Sequence, residues 1–186
     1  MKKFLVIGNP IEHSLSPKLH NHWIKYNNLK AVYDKKKLDI SELENLITEL
    51  REKKIHGINV TVPFKKDIIP FLDQLSLEAK STQSVNTIYL KDEKAIGHNT
   101  DIDGFELAIK NLKINLIDKT ILILGAGGVV PSLIYALNKM KVSKIIVSNR
   151  TQKKTENLKN LFRSIEVVDW GVIPNIDMII NATSLG

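Results

Sequence analysis

Residues 119–151 read KTILILGAGGVVPSLIYALNKMKVSKIIVSNRT, and this window decides the fold. Thr120 to Leu124 is an apolar run of strand length that stops at the glycine turn Gly125-Ala126-Gly127-Gly128. A stretch carrying Leu133 and Leu137 at helical spacing follows, and then a second apolar run, Lys144 to Ser148. Strand, helix and strand in so short a span form the unit of a parallel sheet. Moving downstream, the pattern predicts a helix across Lys153 to Phe162, a short strand at Glu166 to Val168 and a strand at Asp177 to Ile180. The second half of the chain therefore reads as a doubly wound α/β sheet.

The turn in that window has a chemical use. Glycines between a strand and a helix let backbone N–H groups and the positive end of the helix approach a pyrophosphate. Gly125 and Gly127 fill the first two places of the dinucleotide fingerprint, while the third, where close packing favours Gly or Ala, falls at Val130. A glycine turn without a ligand is the alternative. At the end of the second strand an acidic residue would bind the ribose 2′-hydroxyl of NAD; here stand Asn149, Arg150 and Thr151, with Lys153 and Lys154 beyond. A cation there accommodates a 2′-phosphate, so the expected cofactor is NADP, the alternative being that Arg150 is an ordinary exposed arginine.

Upstream of the window, Phe4 to Gly8 reads as a strand closed by Asn9-Pro10. Ser16 and Pro17 suggest an N-cap and first residue for a helix reaching Tyr26, followed by a strand at Ala31 to Lys36. Ser41 and Glu44 have capping-box spacing, and Leu43, Leu46, Ile47 and Leu50 define one apolar helical face. His56 to Val62 reads as a buried strand ending at Pro63, with a short helical stretch opening at Phe64-Lys65-Lys66. Thr87 to Leu90 and Ala95 to His98 suggest a hairpin, and Asp103 to Leu112 has helical periodicity. The expected domains are 1–103 and 104–186. Four polar segments lie where strands give way to loops: Gly8 to Pro17 (GNPIEHSLSP), Asn59 to Lys65 (NVTVPFK), Ser84 to Thr87 (SVNT) and His98 to Asp101 (HNTD). Side chains at several strand ends can converge on one ligand.

Composition narrows the classes. With 43% hydrophobic and 25% charged residues the chain is globular, and its longest apolar run is far short of the roughly 20 residues of a membrane helix. No signal-peptide pattern opens the chain, and the absence of cysteine removes disulfides and thiolate metal sites. A cytoplasmic protein is expected. The net charge of +7 comes from Lys in twenty-four of twenty-seven basic positions, scattered along the chain, which suits attraction of small anions better than nucleic acid. His20 and His22 lack a third ligand, so no metal is expected, and His13 and His98 are read as loop supports.

The four segments, followed by GAGG, Asn149-Arg150-Thr151 and the terminal NATSLG, occur in the order and approximate spacing of the shikimate dehydrogenases, which the whole chain resembles. The resemblance implies an N-terminal α/β substrate domain followed by a Rossmann-like doubly wound NADP-binding domain. It implies reversible, NADP-dependent reduction of 3-dehydroshikimate to shikimate, on the route to chorismate and the aromatic amino acids. It implies that Ser14 and Ser16 contact the substrate carboxylate and that Thr61, Asn86 and Asp101 bind its hydroxyls, with Lys65 and the nearby Asp101 as the catalytic residues. Asn149, Arg150, Thr151 and Lys154 would hold the adenosine ribose phosphate, Gly125 to Gly128 the pyrophosphate, and Thr183 the nicotinamide end. Such residues suit the chemistry: hydroxyls donate to a carboxylate, amides and carboxylates serve ring hydroxyls, and a lysine can protonate a developing alkoxide. Read locally, Ser14 and Ser16 could cap a helix, Lys65 could be a surface lysine like Lys66, and Asp101 could be an N-cap.

Members of that family are longer than 186 residues, so the cofactor domain is expected to be incomplete, which leaves turnover by this chain open. The resemblance also admits a homodimer. Two rival readings stand beside the leading one: a quinate/shikimate dehydrogenase using NAD or NADP, and a catalytically silent shikimate-binding fragment.

Overall fold

The structure, a computed structural model, describes residues 1–183. The chain divides into two compact units, one spanning Met1–Asn99 and one beginning at Thr100.

The first unit contains β1 (Lys2–Gly8), α1 (Ser16–Tyr26), β2 (Ala31–Lys37), α2 (Leu43–Arg51), β3 (Gly57–Val60), β4 (Gln74–Leu75), α3 (Leu77–Thr82), β5 (Thr87–Lys91) and β6 (Lys94–His98). The strands form one sheet in the order β2-β1-β3-β5-β6-β4. β1 pairs in parallel with β2 and β3, and the β5–β6 hairpin joins antiparallel to β3. Alternation along β1 explains its unbroken apolar sequence. Leu5 and Ile7 belong to the core that holds the Leu43, Leu46, Ile47 and Leu50 face of α2, all four of them buried. Val6 belongs to a separate cluster with Tyr33, Phe4 and Ile24 of α1. Both faces of the strand are covered, so neither can be polar. Each of the four α2 side chains contributes on the order of 1.5–3 kcal/mol through burial.

Several local expectations are corrected. The capping box lies not at Ser41 and Glu44 but at Asp39 and Glu42, where it closes the 3₁₀ turn Ile40–Glu42 that leads into α2: Asp39 N–H donates to the Glu42 carboxylate at 2.8 Å. Ser16 is the first residue of α1 rather than its cap; Leu15 holds the cap position. Phe64 to Lys66 form hydrogen-bonded turns leading to a 3₁₀ helix, Ile69–Phe71, in place of a helical start. β4 and α3 were not anticipated; the Ser76 hydroxyl caps α3 by accepting from Ala79 N–H at 3.2 Å.

The second unit contains α4 (Asp101–Asn111), β7 (Thr120–Leu124), α5 (Val130–Lys139), β8 (Lys144–Ser148), α6 (Gln152–Leu161), β9 (Glu166–Val168) and β10 (Met178–Asn181). Its four strands are parallel in the order β10-β7-β8-β9. The chain steps outward from β7 through β8 to β9 and then returns to the far side of β7. The reversal lies between β7 and β10, the place where doubly wound sheets open a crevice at their carboxyl ends. Ile121, Ile123, Ile134, Leu137 and Val147 lie at the centre of this unit's core.

Candidate functional site

In the first unit the predicted residues gather at one end of the sheet. β1 and β3 end side by side: Thr61 N–H donates to Ile7 C=O at 2.9 Å, and Asn9 N–H to Val62 C=O at 3.0 Å. Gly8 permits this closeness, because a Cβ there would lie 2.7 Å from the Thr61 methyl and 3.0 Å from the Val62 carbonyl. β5 runs the opposite way and therefore begins at the same end. Val60 N–H donates to Asn86 C=O at 2.9 Å, and Asn86 N–H to His98 C=O at 3.0 Å. Val85 N–H donates to Lys65 C=O at 2.8 Å, which fastens the turn carrying Lys65 beside Asn86.

Ser14, Ser16 and Thr61 share a concavity of about 280 Å³ with His13, floored by Val6 and Ile11. Ser16 N–H points at Ser14 Oγ at 3.4 Å, so the serines share the entry to α1. An eleven-residue helix with no acidic residue in its first turn presents its positive end here, flanked by hydroxyls. That environment favours a carboxylate. Lys65 and Asn86 are half-buried.

Behind these residues lies a polar layer. Asn59, opposite Thr87 in the β3–β5 ladder, donates from Nδ2 to Asn86 C=O at 3.2 Å and to Thr87 Oγ1 at 3.1 Å. Thr87 Oγ1 in turn donates to Asn86 Oδ1 at 3.0 Å, and Tyr33 O–H donates to Asn59 Oδ1 at 2.6 Å. Burial pushes the Tyr33 phenol up to about 12. Its ring stacks on His20 with centroids 4.2 Å apart, and burial lowers the His20 pKa. His98, read as a loop support, accepts from Asn99 N–H at 2.7 Å and meets Ser76 Oγ at 3.1 Å, both at Nδ1. Asn99 is fully buried and donates to Thr82 Oγ1 and to Ser84 C=O at 3.1 and 3.0 Å. Sequence reasoning gave Tyr33, Asn59, Thr87 and Asn99 no role. The available signal was an amide inside an apolar strand, since a buried polar group must find partners.

Asp101 is the first residue of α4 in the second unit; Thr100 holds the N-cap position that was one reading of Asp101. The rest of the predicted cofactor set also lies in this unit. Gly125 has φ +109°, and a Cβ there would meet the Ala182 carbonyl oxygen at 2.8 Å. Ala182 N–H donates to Leu124 C=O at 2.8 Å and Gly125 N–H to Ser148 C=O at 2.8 Å, so the turn is held between the ends of β10 and β8. Gly127 and Gly128 are exposed, before the N-terminus of α5. Arg150, Thr151 and Lys154 are exposed around the start of α6, and Asn149 Nδ2 donates to Thr151 C=O at 2.9 Å. No acidic side chain occupies positions 149–154. Thr183 donates from N and Oγ1 to Asn181 Oδ1 at 3.1 and 2.8 Å. The last three residues of NATSLG lie outside the described residues. A strand-to-helix turn with glycine at three of its four positions before the α5 N-terminus, together with a cationic end of β8, fits a dinucleotide bearing a 2′-phosphate. Among the described residues no group of three or more His, Asp or Glu is placed to hold a metal, and no helix is long and apolar enough to cross a membrane.

Comparison with known proteins was made by sequence and by structure. The family model of the shikimate dehydrogenase substrate binding domain matches residues 6–88, and that of shikimate / quinate 5-dehydrogenase matches residues 106–185. The chain is 60% identical to a protein of Pelagibacter ubique named shikimate dehydrogenase (NADP(+)), over 100% of this chain and 70% of that one. It is similar to the crystal structure of shikimate dehydrogenase from Aquifex aeolicus, with TM-score 0.91 and 41% identity over 100% of this chain and 70% of that chain. It is also similar to the Thermus thermophilus shikimate 5-dehydrogenase solved with NADP(H) and shikimate, with TM-score 0.88 and 31% identity over 98% and 69% of the two chains.

Proposed function

Because this chain belongs to the shikimate dehydrogenase family, we propose that it interconverts 3-dehydroshikimate and shikimate with NADP as its redox partner, in the biosynthesis of chorismate and aromatic amino acids. One observation carries the reading: Ser14, Ser16, Thr61, Lys65 and Asn86, drawn from three separate stretches of chain, come to the same end of one sheet. Packing alone gives no reason to gather three hydroxyls, an amide and an ammonium there.

In this reading Ser14 and Ser16 take the ring carboxylate at the N-terminus of α1, and Thr61 and Asn86 take ring hydroxyls. The cofactor supplies or accepts the hydride. Lys65 handles the matching proton: its ammonium gives one to the carbonyl oxygen during reduction, and its amine takes one back in oxidation. The resemblance assigns Asp101 to a substrate hydroxyl, and the boundary proposed at 103/104 rests on the change in sequence character that the Asp103 to Leu112 segment leads to. Gly125 to Gly128 receive the pyrophosphate, Asn149, Arg150, Thr151 and Lys154 the ribose phosphate, and Thr183 the nicotinamide end. A cytoplasmic enzyme is the fitting setting, and sedimentation decides whether it is a homodimer.

The test is shikimate oxidation by the purified chain, with NADP and with NAD in parallel. Turnover with NADP is expected, and Lys65→Ala is expected to lower kcat by at least about 100-fold, the usual scale for losing a general acid–base. Arg150→Ala should weaken NADP by about tenfold or more and leave NAD unchanged, since a charge-assisted bond contributes roughly 1.5–3 kcal/mol. The second family model covers quinate dehydrogenases as well, so quinate belongs in the assay. Equal use of NAD with turnover of quinate would replace the leading reading. Shikimate binding without turnover would make the chain a binding protein, and no binding would sink the assignment.

A further inference from the structure

The four hydrogen bonds behind Asn86 run from Tyr33 and Asn59 toward Asn86. The Asn86 carbonyl can only accept, so the atom of Asn59 facing it must be Nδ2. The other amide oxygen, Asn59 Oδ1, can then only accept, and Tyr33 O–H must donate to it at 2.6 Å. Asn59 Nδ2 also donates to Thr87 Oγ1 at 3.1 Å, and the Thr87 hydroxyl, whose proton this leaves unused, donates to Asn86 Oδ1 at 3.0 Å. Asn86 therefore accepts on its oxygen and turns its Nδ2 to the other side. The orientation of Asn59 and the donation from Tyr33 follow from a backbone carbonyl that cannot flip, and the Thr87 hydroxyl carries the chain on to Asn86 Oδ1.

The layout matches this logic. Asn59 pairs with Val6 on β1, and Val6 and Tyr33 share one cluster, so Tyr33 reaches over β1 to β3 on the face covered by α1. From Asn59 the chain crosses to Thr87 on β5 and ends at Asn86 at the strand's start. Tyr33 is itself held from outside: Asn21 of α1 accepts from Tyr33 N–H at 2.9 Å and donates to Tyr33 C=O at 2.7 Å, while His20 stacks on the ring. With its pKa pushed up by burial, the phenol remains a donor throughout any ordinary assay range.

We propose that Tyr33 is a positioning residue: through Asn59 and Thr87 it fixes the side-chain amide of Asn86 so that Asn86 offers Nδ2, a donor, to a substrate hydroxyl oxygen. The proposal rests on the assignment of Asn86 to the substrate made above. It narrows that assignment, since Asn86 then reads the hydroxyl as an acceptor and the hydroxyl's own proton must go elsewhere.

A double-mutant cycle on the 186-residue chain tests it, with shikimate affinity read by calorimetry and the Asn86 side-chain amide followed by ¹⁵N NMR. Tyr33→Phe keeps the ring and its stacking. It is expected to weaken shikimate roughly three- to tenfold, the range of one net hydrogen bond, and to shift or broaden the Asn86 Nδ2 resonances. In an Asn86→Ala background the same substitution should have no further effect, and Thr87→Ser should preserve affinity where Thr87→Val does not. An equal loss in both backgrounds would mean that Tyr33 only supports the fold, and an unchanged Asn86 resonance in Tyr33→Phe would overturn the chain itself. If Asn86→Ala binds shikimate like the parent, the substrate assignment of Asn86 falls and this proposal with it. If the parent chain binds no shikimate, the functional reading fails while the NMR comparison still decides whether Tyr33 holds Asn86.

Discussion

At the scale of single residues, Gly125 and Gly127 occupy one turn for different reasons. Gly125 has φ +109° and no room for a Cβ, which would sit 2.8 Å from the Ala182 carbonyl. Gly127 has only that same oxygen nearby, at 3.9 Å, an ordinary contact distance. Gly125→Ala is therefore expected to destabilise the second unit by about 2 kcal/mol or more, combining a left-handed backbone with a clash against backbone. Gly127→Ala should leave stability within about 0.5 kcal/mol, as surface substitutions usually do, yet still weaken NADP, because its use is to let backbone approach the pyrophosphate. Thermal unfolding and NADP titration of both variants separate the two roles. Loss of stability without loss of affinity in Gly127→Ala would deny the turn a part in cofactor binding.

At the scale of elements, Asp73 ties three of them together. Arg51, at the end of α2, donates to its carboxylate at 3.0 Å and to Phe71 C=O at 3.1 Å, while Ala95 N–H of β6 donates to the other carboxylate oxygen at 2.7 Å. The Ala95 N–H bond first, and then Arg51, lower the Asp73 pKa. A depressed carboxylate stabilises the fold fully above its unfolded pKa of about 3.9 and loses that contribution as pH falls through the lower folded value. Asp73→Ala should cost about 1 kcal/mol at pH 7, modest because the pair is partly exposed, and the difference from the parent should vanish on acidification below about pH 4. Denaturant unfolding at pH 7 and at low pH reads both numbers; a gap that persists in acid would show that packing, not charge, is what Asp73 supplies. Elements of this kind were the least legible in the sequence. β1, β7 and β8 could be read because strands covered on both faces are apolar along their buried length, and α2 because its buried face repeats at helical spacing. β4 has only two residues and α3 only six, too few for any period to register. The cap of α1 was misplaced because Leu15, which has no side-chain acceptor, holds that position, and the capping box before α2 was misplaced because Ser41 and Asp39 both satisfy the chemistry of a cap. The proposed site residues were named by resemblance, whereas the layer behind them depends on pairing Asn59 with Thr87, which no local pattern contains.

At the scale of the whole chain, charge rather than fold makes the testable statement. Net charge +7 arises almost wholly from dispersed lysines, few of which belong to the proposed sites. A field of this kind raises the local concentration of anions and is screened over about 10 Å at 0.1 M salt and about 3 Å at 1 M. NADP carries several phosphate charges and shikimate a single carboxylate, so the dependence on salt should differ. On a double-logarithmic plot the dissociation constant for NADP should rise with salt more steeply than that for shikimate. Arg150→Ala removes one of the two cations, with Lys154, proposed to hold the ribose phosphate, so it should weaken NADP most at low salt and flatten the slope, while leaving the shikimate line where it was. Lys91→Ala, at an exposed hairpin position outside the proposed sites, should change neither slope measurably. Equal slopes for the two ligands would mean that the lysine field serves solubility and nothing else, and a flat NADP line in the parent chain would remove the electrostatic basis for reading Arg150 as the determinant of NADP over NAD.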